Sequence, residues 1–186
     1  MGCEECFLKN KALLMEGALG ERLKREYGLK IDGTVAMASL VYSEDGRSAL
    51  KDLWEGYAGI AKRHSLPFIA TTPTRRANKE RMTESGYGDK IIKDNVDFLR
   101  NVQKNFNCES YIGGLMGCKG DAYTGEGAIS TDEAEEFHSY TAELFKKAGA
   151  DFLYAGIMPC RDEALGMAKA MGKTGLPYII SFMIRK

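Results

Sequence analysis

The 186-residue sequence predicts an α/β protein built on a parallel sheet of about five strands. Three observations support this fold class. Short apolar runs alternate along the chain with longer stretches in which apolar residues recur at helical spacing. Several of the runs are apolar throughout, as is typical of strands that are buried on both faces. Strands that alternate with helices in this way favour right-handed crossovers and parallel pairing.

The strands are predicted where short apolar runs end at glycine, proline or a loop. In chain order they cover residues 12–15, 66–72, 110–115, 151–157 and 177–184. Gly17 ends the first run, while Pro67 begins the second and Pro73 ends it. The third run leads into the glycine-rich segment 113–127, the longest stretch without helical spacing. In α/β proteins, ligands bind at loops that follow strands.

Five helices are predicted between the strands. They cover residues from about 20 to 27, 48–64, 88–105, 130–150 and 161–175. The fourth has the clearest boundaries, because Ser130 and Glu133 have capping-box spacing and Gly149 follows two lysines at its end. No interdomain linker or low-complexity segment interrupts the pattern, so the sequence predicts a single domain over residues 1–186.

The composition argues against several classes of protein. The 26 basic and 26 acidic residues cancel, so nothing favours nucleic acid or an anionic membrane as a partner. Short basic runs such as Arg75-Arg76 are interpreted as solvated loop ends. No apolar run approaches the roughly 18 residues of a membrane helix, and the N-terminus lacks the apolar core of a secretory signal. The protein is therefore expected to be cytoplasmic.

The five cysteines are scattered, which argues against a disulfide framework. Cys3 and Cys6 form a C-x-x-C pair within residues 1–10, which are expected to be a flexible N-terminal extension. This pair is at most half of a zinc site, and no second pair accompanies it. Cys118 and Cys160 follow the third and fourth strands, but two thiolates do not complete a tetrahedral site.

Four segments match the patterns of one family in order along nearly the whole chain. They are LLMEGALGERLKR, FIATTPTRRANKERMTESGYGD, YIGGLMGCKGDAYTGEGAISTDEAEEFH and GADFLYAGIMPCRDEALGMAKAMGKTGLPYIISFMIR. In these segments the sequence resembles the homocysteine S-methyltransferase family, whose patterns there include L-L-D-G, T-N-T-Y-x-A-N, A-G-S-x-G-P and P-V-x-x-S-F. The common order of the four segments makes the resemblance specific.

The resemblance implies a (β/α)₈ barrel of the TIM type and methyl transfer to a thiol acceptor in the complete parent protein. This chain supplies about five βα units of such a barrel, so it is predicted to be a partial barrel that lacks the C-terminal strands. The zinc cysteines of the family follow strands six and eight. The resemblance therefore implies zinc for the complete domain, no metal site or cofactor in this chain, and no activity for the isolated chain.

The resemblance also implies a set of substrate-binding residues, and barrel active sites lie at the C-terminal ends of strands. Glu16 and Gly17 stand where the family has Asp-Gly. Thr72 and Thr74 flank a proline where the family has T-N-T, and Gly114 replaces a serine of the glycine-rich stretch. These five residues are predicted to bind a small amino-acid substrate of the homocysteine type, and no catalytic residue is assigned.

One departure from the family keeps a second hypothesis open. At the end of the fourth strand the family has Glu-Thr, and its glutamate helps to hold the amino group of homocysteine. This chain has Gly156 and Ile157 there, and glycine offers no counter-charge. The alternative is a non-catalytic binding or oligomeric interaction protein derived from the family. An isolated half-barrel would expose an apolar face and two strand edges, so a homo-oligomer or a complementing chain is expected.

Overall fold

The computed structural model describes residues 2–184 and contains one five-stranded parallel sheet. The strands are β1 (Leu14–Met15), β2 (Phe68–Thr71), β3 (Ser110–Met116), β4 (Phe152–Met158) and β5 (Tyr178–Phe182). Each strand pairs in parallel with the next one along the chain. The order has no switch point of the kind found in a doubly wound sheet. The curled sheet confirms the predicted partial (β/α)₈ barrel of five βα units.

Seven α-helices and one 3₁₀ helix accompany the sheet. They are α1 (Cys3–Lys9), α2 (Leu19–Tyr27), the 3₁₀ helix (Ala36–Tyr42), α3 (Glu44–Arg63), α4 (Lys79–Glu84), α5 (Lys90–Gln103), α6 (Thr131–Ala148) and α7 (Arg161–Gly172). The 3₁₀ helix, α1 and α4 were not predicted, because each has seven residues or fewer and shows no long apolar periodicity. Among the described residues, no helix has the length and apolar character needed to cross a bilayer.

The longer helices cover the outer face of the sheet, where two adjoining clusters form most of the core. In one cluster, Leu50 and Trp54 of α3 lie with Phe68 of β2. In the other, Phe145 of α6 lies with Leu153 of β4. Because apolar residues on these helices recur three and four positions apart, one face of each helix is buried. Each large apolar side chain buried in this way contributes roughly 1.5–3 kcal/mol.

Helix α1 lies against the inner face of the sheet. Its Cys6 is fully buried, and its Phe7 ring meets the ring of Phe152 edge-on with centroids 5.7 Å apart. Within residues 1–10, which the sequence analysis expects to be a flexible extension, the structure has this helix over Cys3–Lys9, and the flexibility stays a prediction. Burial first, then Asp151 and Cys6, raise the pKa of Cys3 to about 12. The thiol is therefore protonated at neutral pH and is a poor nucleophile and metal ligand.

Strands β1 and β5 form the two edges of the sheet. Along β5 the side chains of Tyr178 and Phe182 are 44% and 52% exposed, and Ile184 beyond it is 89% exposed. An edge strand with exposed apolar side chains offers unpaired backbone groups and apolar surface together.

Candidate active site

A cavity of about 500 Å³ lies at the C-terminal ends of the strands, where barrel enzymes bind their substrates. The residues of the lining that matter for the site are Glu16, Thr71, Arg75, Arg76, Tyr154 and Gly156. They come from the ends of β1, β2 and β4 and from the segment after β2. The cavity volume is within the range of small-molecule sites, roughly 300–1,000 Å³.

Glu16 is the acidic residue at the end of β1, and the neighbouring strand holds its carboxylate in place. The backbone N–H and the hydroxyl of Thr71 both donate to Oε1, at 2.8 and 2.5 Å. The other oxygen, Oε2, is buried and has no hydrogen-bond partner among the described residues. Burial raises the pKa of Glu16 to about 7, although the two bonds from Thr71 oppose the shift. An unpaired oxygen of this kind could accept a bond from a ligand.

Gly17 follows Glu16 but is not part of the cavity lining. It is exposed, and its carbonyl accepts a hydrogen bond of 2.7 Å from the hydroxyl of Tyr57 on α3. This bond fixes the turn that carries Glu16. Gly17 is therefore next to the cavity only because it adjoins Glu16, which lines it. The predicted role of Gly17 in substrate binding stays a prediction.

Thr72 and Thr74 are buried and do not line the cavity. Their hydroxyls lie 2.7 Å apart, and the Thr74 hydroxyl donates to the carbonyl of Leu115 at 2.8 Å. The N–H of Leu115 in turn donates to Thr72 Oγ1 at 3.1 Å. These bonds join the end of β2 to β3, so the observed contacts are structural and the substrate-binding role stays a prediction.

Gly114 faces the helices on the outer side of the sheet. A Cβ atom at this position would lie 2.5 Å from Cγ of Phe145, which is closer than carbon atoms approach in proteins. The glycine therefore lets α6 pack tightly on β3. The structure turns Gly114 away from the cavity, and its role in substrate binding also stays a prediction.

Two cavity residues that the sequence analysis interpreted as solvated loop ends are Arg75 and Arg76. Neither guanidinium forms a hydrogen bond or ion pair with another residue of the described part of the chain. Burial, followed by the charges of Arg76 and Arg75, lowers the pKa of nearby Arg81. One sequence signal was available, since the family pattern T-N-T-Y-x-A-N has Tyr-x at the positions of these two arginines.

The end of β4 has an irregular backbone where it meets the cavity. Ile157 has a φ of 52°, in the left-handed region that β-branched residues rarely adopt. Its N–H donates to Ser181 Oγ at 2.9 Å, and this hydroxyl also lies 2.9 Å from the Tyr154 hydroxyl. The irregularity interrupts the pairing of β4 with β5 between Ala155 and Met158. Strain of this type concentrates at functional sites.

A buried carboxylate supports the loop of residues 117–130 between β3 and α6. Glu163 of α7 is fully buried, and its Oε1 accepts a bond of 2.7 Å from the N–H of Lys119. The Nε2 atom of buried His138 lies 3.1 Å from the same oxygen. The sequence analysis did not identify this pair, because residues on two helices give no joint pattern in the sequence.

The family resemblance implies zinc, which needs at least three protein ligands close together. Across residues 2–184, no three His, Cys, Asp or Glu side chains stand close enough together to hold a metal ion. Burial, followed by the charge of Glu163, also raises the pKa of Cys118, which disfavours its thiolate. The described residues therefore do not fit a zinc site.

Parallel strands in sequence order, helices on the outer face and a cavity at the C-terminal strand ends define a TIM-type half-barrel. A model of the family described as homocysteine S-methyltransferase matches residues 13–186, and the chain belongs to that family.

Solved structures agree with the fold. The oxidized form of the homocysteine methyltransferase MmuM from Escherichia coli is 19% identical, with a TM-score of 0.77 over 96% of this chain and 64% of that one. Its apo form is also 19% identical, with a TM-score of 0.62 over 96% and 61%. The chain thus spans less than two thirds of these proteins. No curated protein matches it.

Proposed function

We propose that the cavity binds an amino acid of the homocysteine type, as part of an S-methyltransferase that transfers a methyl group to the thiol of this acceptor. The observation that carries the proposal is Glu16, a carboxylate in the cavity whose Oε2 has no partner among the described residues. Membership of the family supports the choice of ligand. Methyl transfer itself, and the zinc that the family implies, belong to the proposal for the complete protein.

In this proposal, Glu16 holds the ammonium group of the amino acid. Thr71 occupies Oε1, so the ammonium approaches Oε2. A neighbouring positive charge favours the ionised carboxylate and lowers its pKa. Since the pKa of Glu16 is about 7 in the free protein, binding at pH 7 releases about half a proton per ligand. Thr72 and Thr74 do not contact the ligand in this proposal but hold β2 against β3, and Gly114 lets α6 pack on β3. Gly17 fixes the turn that carries Glu16.

Isothermal titration calorimetry with L-homocysteine tests the proposal. Titrations at pH 7 in two buffers with different heats of ionisation measure the protons released. We expect release for L-homocysteine and none for 4-mercaptobutanoate, which lacks the ammonium group. Glu16→Gln is expected to abolish the release and weaken binding, whereas Glu84→Gln, which removes an exposed carboxylate on α4, leaves both unchanged. Equal binding of both compounds without proton release would contradict the proposal.

A second candidate function is assembly with another copy or with a complementing chain. The exposed side chains of Tyr178, Phe182 and Ile184 along the free edge of β5 favour it, since apolar surface at a strand edge promotes association. Light scattering after size exclusion at micromolar concentration measures the mass in solution. A monomeric mass over the whole concentration range would oppose the self-association arm of this candidate.

Two further expectations remain predictions. The cytoplasmic location rests on the sequence alone. Inactivity of the isolated chain is tested by assaying methyl transfer to L-homocysteine, and turnover that scales with the concentration of the purified chain would contradict it.

A further inference from the structure

Arg75 and Arg76 place two guanidinium groups at the cavity, on the segment that follows β2. Arg75 is partly buried, and Arg76 is exposed at the cavity mouth. Within residues 2–184 neither side chain has a hydrogen-bond or ion-pair partner. An arginine carries five donors and stays charged at neutral pH, so two unpaired arginines in one cavity form a strong potential site for an anion.

The backbone of this segment is held firmly. The N–H of Ala77 donates to the carbonyl of Thr74 at 2.8 Å, and the N–H of Asn78 donates to the carbonyl of Arg76 at 3.1 Å. A Cβ atom at Gly117 would lie 2.4 Å from the carbonyl oxygen of Arg75, so the loop after β3 is packed directly against the segment. The two guanidinium groups therefore project from a rigid turn, which reduces the entropy lost when they bind a ligand.

Three arginines, Arg75, Arg76 and Arg81, lie close together beside the cavity. Arg81 lies close enough for Arg76 and Arg75 to lower its pKa, in addition to the larger effect of burial. Two acidic residues lie near these arginines: Glu80 is near Arg81, and Asp121 is near Arg76. Asp121 Oδ1 accepts bonds from the N–H groups of Tyr123 and Thr124 in its own turn. A bound anion would offset the repulsion among the three arginines.

Gly156 keeps this end of the cavity open. A Cβ atom there would lie 2.9 Å from Cδ1 of Leu115 and 3.8 Å from Cδ of Arg75. A longer side chain at position 156 would therefore project beside the stem of Arg75. With glycine, position 156 adds no side chain beside this arginine, and Glu16 lies elsewhere in the same lining.

We propose that Arg75 and Arg76 form an anion-recognition site and that the ligand of this cavity carries a carboxylate or phosphate group there. The guanidinium groups bind this group through charge-assisted hydrogen bonds, which can be bidentate. The site selects anionic ligands over neutral analogues of the same size. The inference shares the cavity of the proposed function but assigns the recognition of an anionic group there to Arg75 and Arg76, and it does not require methyl transfer or an ammonium group.

Binding of inorganic phosphate and of glutarate tests the inference, with sodium chloride at equal ionic strength as the reference. Chemical shifts of backbone amides are followed in ¹⁵N-labelled protein during each titration. We expect saturable shifts at residues 74–78 and 117–123 for at least one probe. Phosphate binding alone identifies a phosphoryl group, glutarate binding alone identifies a carboxylate, and either result supports the site.

Three variants make the test specific. Arg75→Gln and Arg76→Gln are each expected to raise the Kd about tenfold or more, because each removes charge-assisted bonds. Arg63→Gln, which removes an exposed guanidinium at the end of α3, is expected to leave the Kd unchanged. Circular dichroism melting of each variant verifies that it folds. A variant that does not fold is replaced by Arg75→Lys or Arg76→Lys, which keeps the charge and is expected to raise the Kd less.

Two results would overturn the inference. One is the absence of saturable binding for both probes. The other is equal binding by the wild type and by both glutamine variants. Glu16→Gln separates the inference from the proposed function, because it is expected to abolish the proton release seen with L-homocysteine while phosphate or glutarate still binds. Failure of homocysteine binding with retained anion binding contradicts only the proposed function.

Discussion

Replacement of Glu16 by glutamine is expected to remove a pH dependence from the stability of the folded chain. Burial raises the pKa of this carboxyl from 4.5 to about 7. Below pH 4.5 it is protonated in both the folded and the unfolded chain and has no effect on their balance. Between pH 4.5 and 7 the folded state keeps a proton that the unfolded state releases, so stability falls as the pH rises, and above pH 7 the loss is complete.

The size of this loss of stability follows from how far the pKa of Glu16 is raised. Each pKa unit corresponds to about 1.4 kcal/mol, so a shift from 4.5 to about 7 costs the folded state at most ~3.5 kcal/mol above pH 7. The side chain is not fully shielded from solvent, which makes this an upper bound. The glutamine variant keeps an oxygen that can accept the bonds from Thr71 but has no titrating group. Relative to the wild type, its free energy of unfolding is therefore expected to increase from pH 4.5 to pH 8.

Urea denaturation followed by circular dichroism at pH 4.5, 6, 7 and 8 measures this difference. Glu84→Gln is the matched control, since it removes an exposed carboxylate that has no ion pair within the described part of the chain. Its curve of stability against pH is expected to run parallel to that of the wild type. Parallel curves for Glu16→Gln and the wild type would refute the conclusion that the carboxyl of Glu16 is desolvated in the cavity.

Three other predictions concern packing and assembly. Gly114→Ala is expected to lower the free energy of unfolding by about 1–3 kcal/mol in urea denaturation, because its Cβ overlaps the ring of Phe145 on α6. The control Gly56→Ala, on the open surface of α3, is expected to raise the free energy of unfolding. If Gly114→Ala is instead neutral, α6 is not tightly packed there. Glu163→Ala leaves buried donors unpaired and is expected to speed amide hydrogen exchange at residues 117–130; unchanged exchange would exclude this support of the loop. Phe182→Lys is expected to reduce any self-association measured by light scattering, and an unchanged mass of the associated species would exclude the β5 edge.

The order of strands and helices was predictable because it depends on local periodicity. The face of the sheet on which each strand side chain lies was not predictable. Successive side chains of a strand point to opposite faces, so adjacent residues such as Thr71 and Thr72 have different surroundings. Where both faces are apolar, the sequence carries no alternation that would assign a residue to one face. For this reason the sequence could not show that Thr71 and Leu115, rather than Thr72 and Gly114, line the cavity at these strand ends. The predicted substrate-binding role of Thr72 and Gly114 stays a prediction.

The cavity itself was only partly predictable. Glu16 was identified because it follows a strand and stands in a family motif. Arg75 and Arg76 were interpreted as solvated because short basic runs usually are, and their position depends on how the loop after β3 packs against the segment after β2. The pair of Glu163 and His138 likewise depends on contacts between two helices. Such contacts become visible only when the chain is folded.

The docking of helix α1 has a consequence for the order in which the chain folds. The helix is made before the strands of the sheet during synthesis, but the aromatic partner of Phe7 is Phe152 of β4. An isolated helix of seven residues is unstable in water. Its residues therefore remain unstructured until β4 has been synthesised and paired with β3. Such distant contacts form late because closing a long loop is entropically costly. A fluorescent probe on α1 would accordingly report the pairing of β4 with β3, and Cys3 and Cys6 would stay open to thiol reagents on the ribosome until β4 has been made.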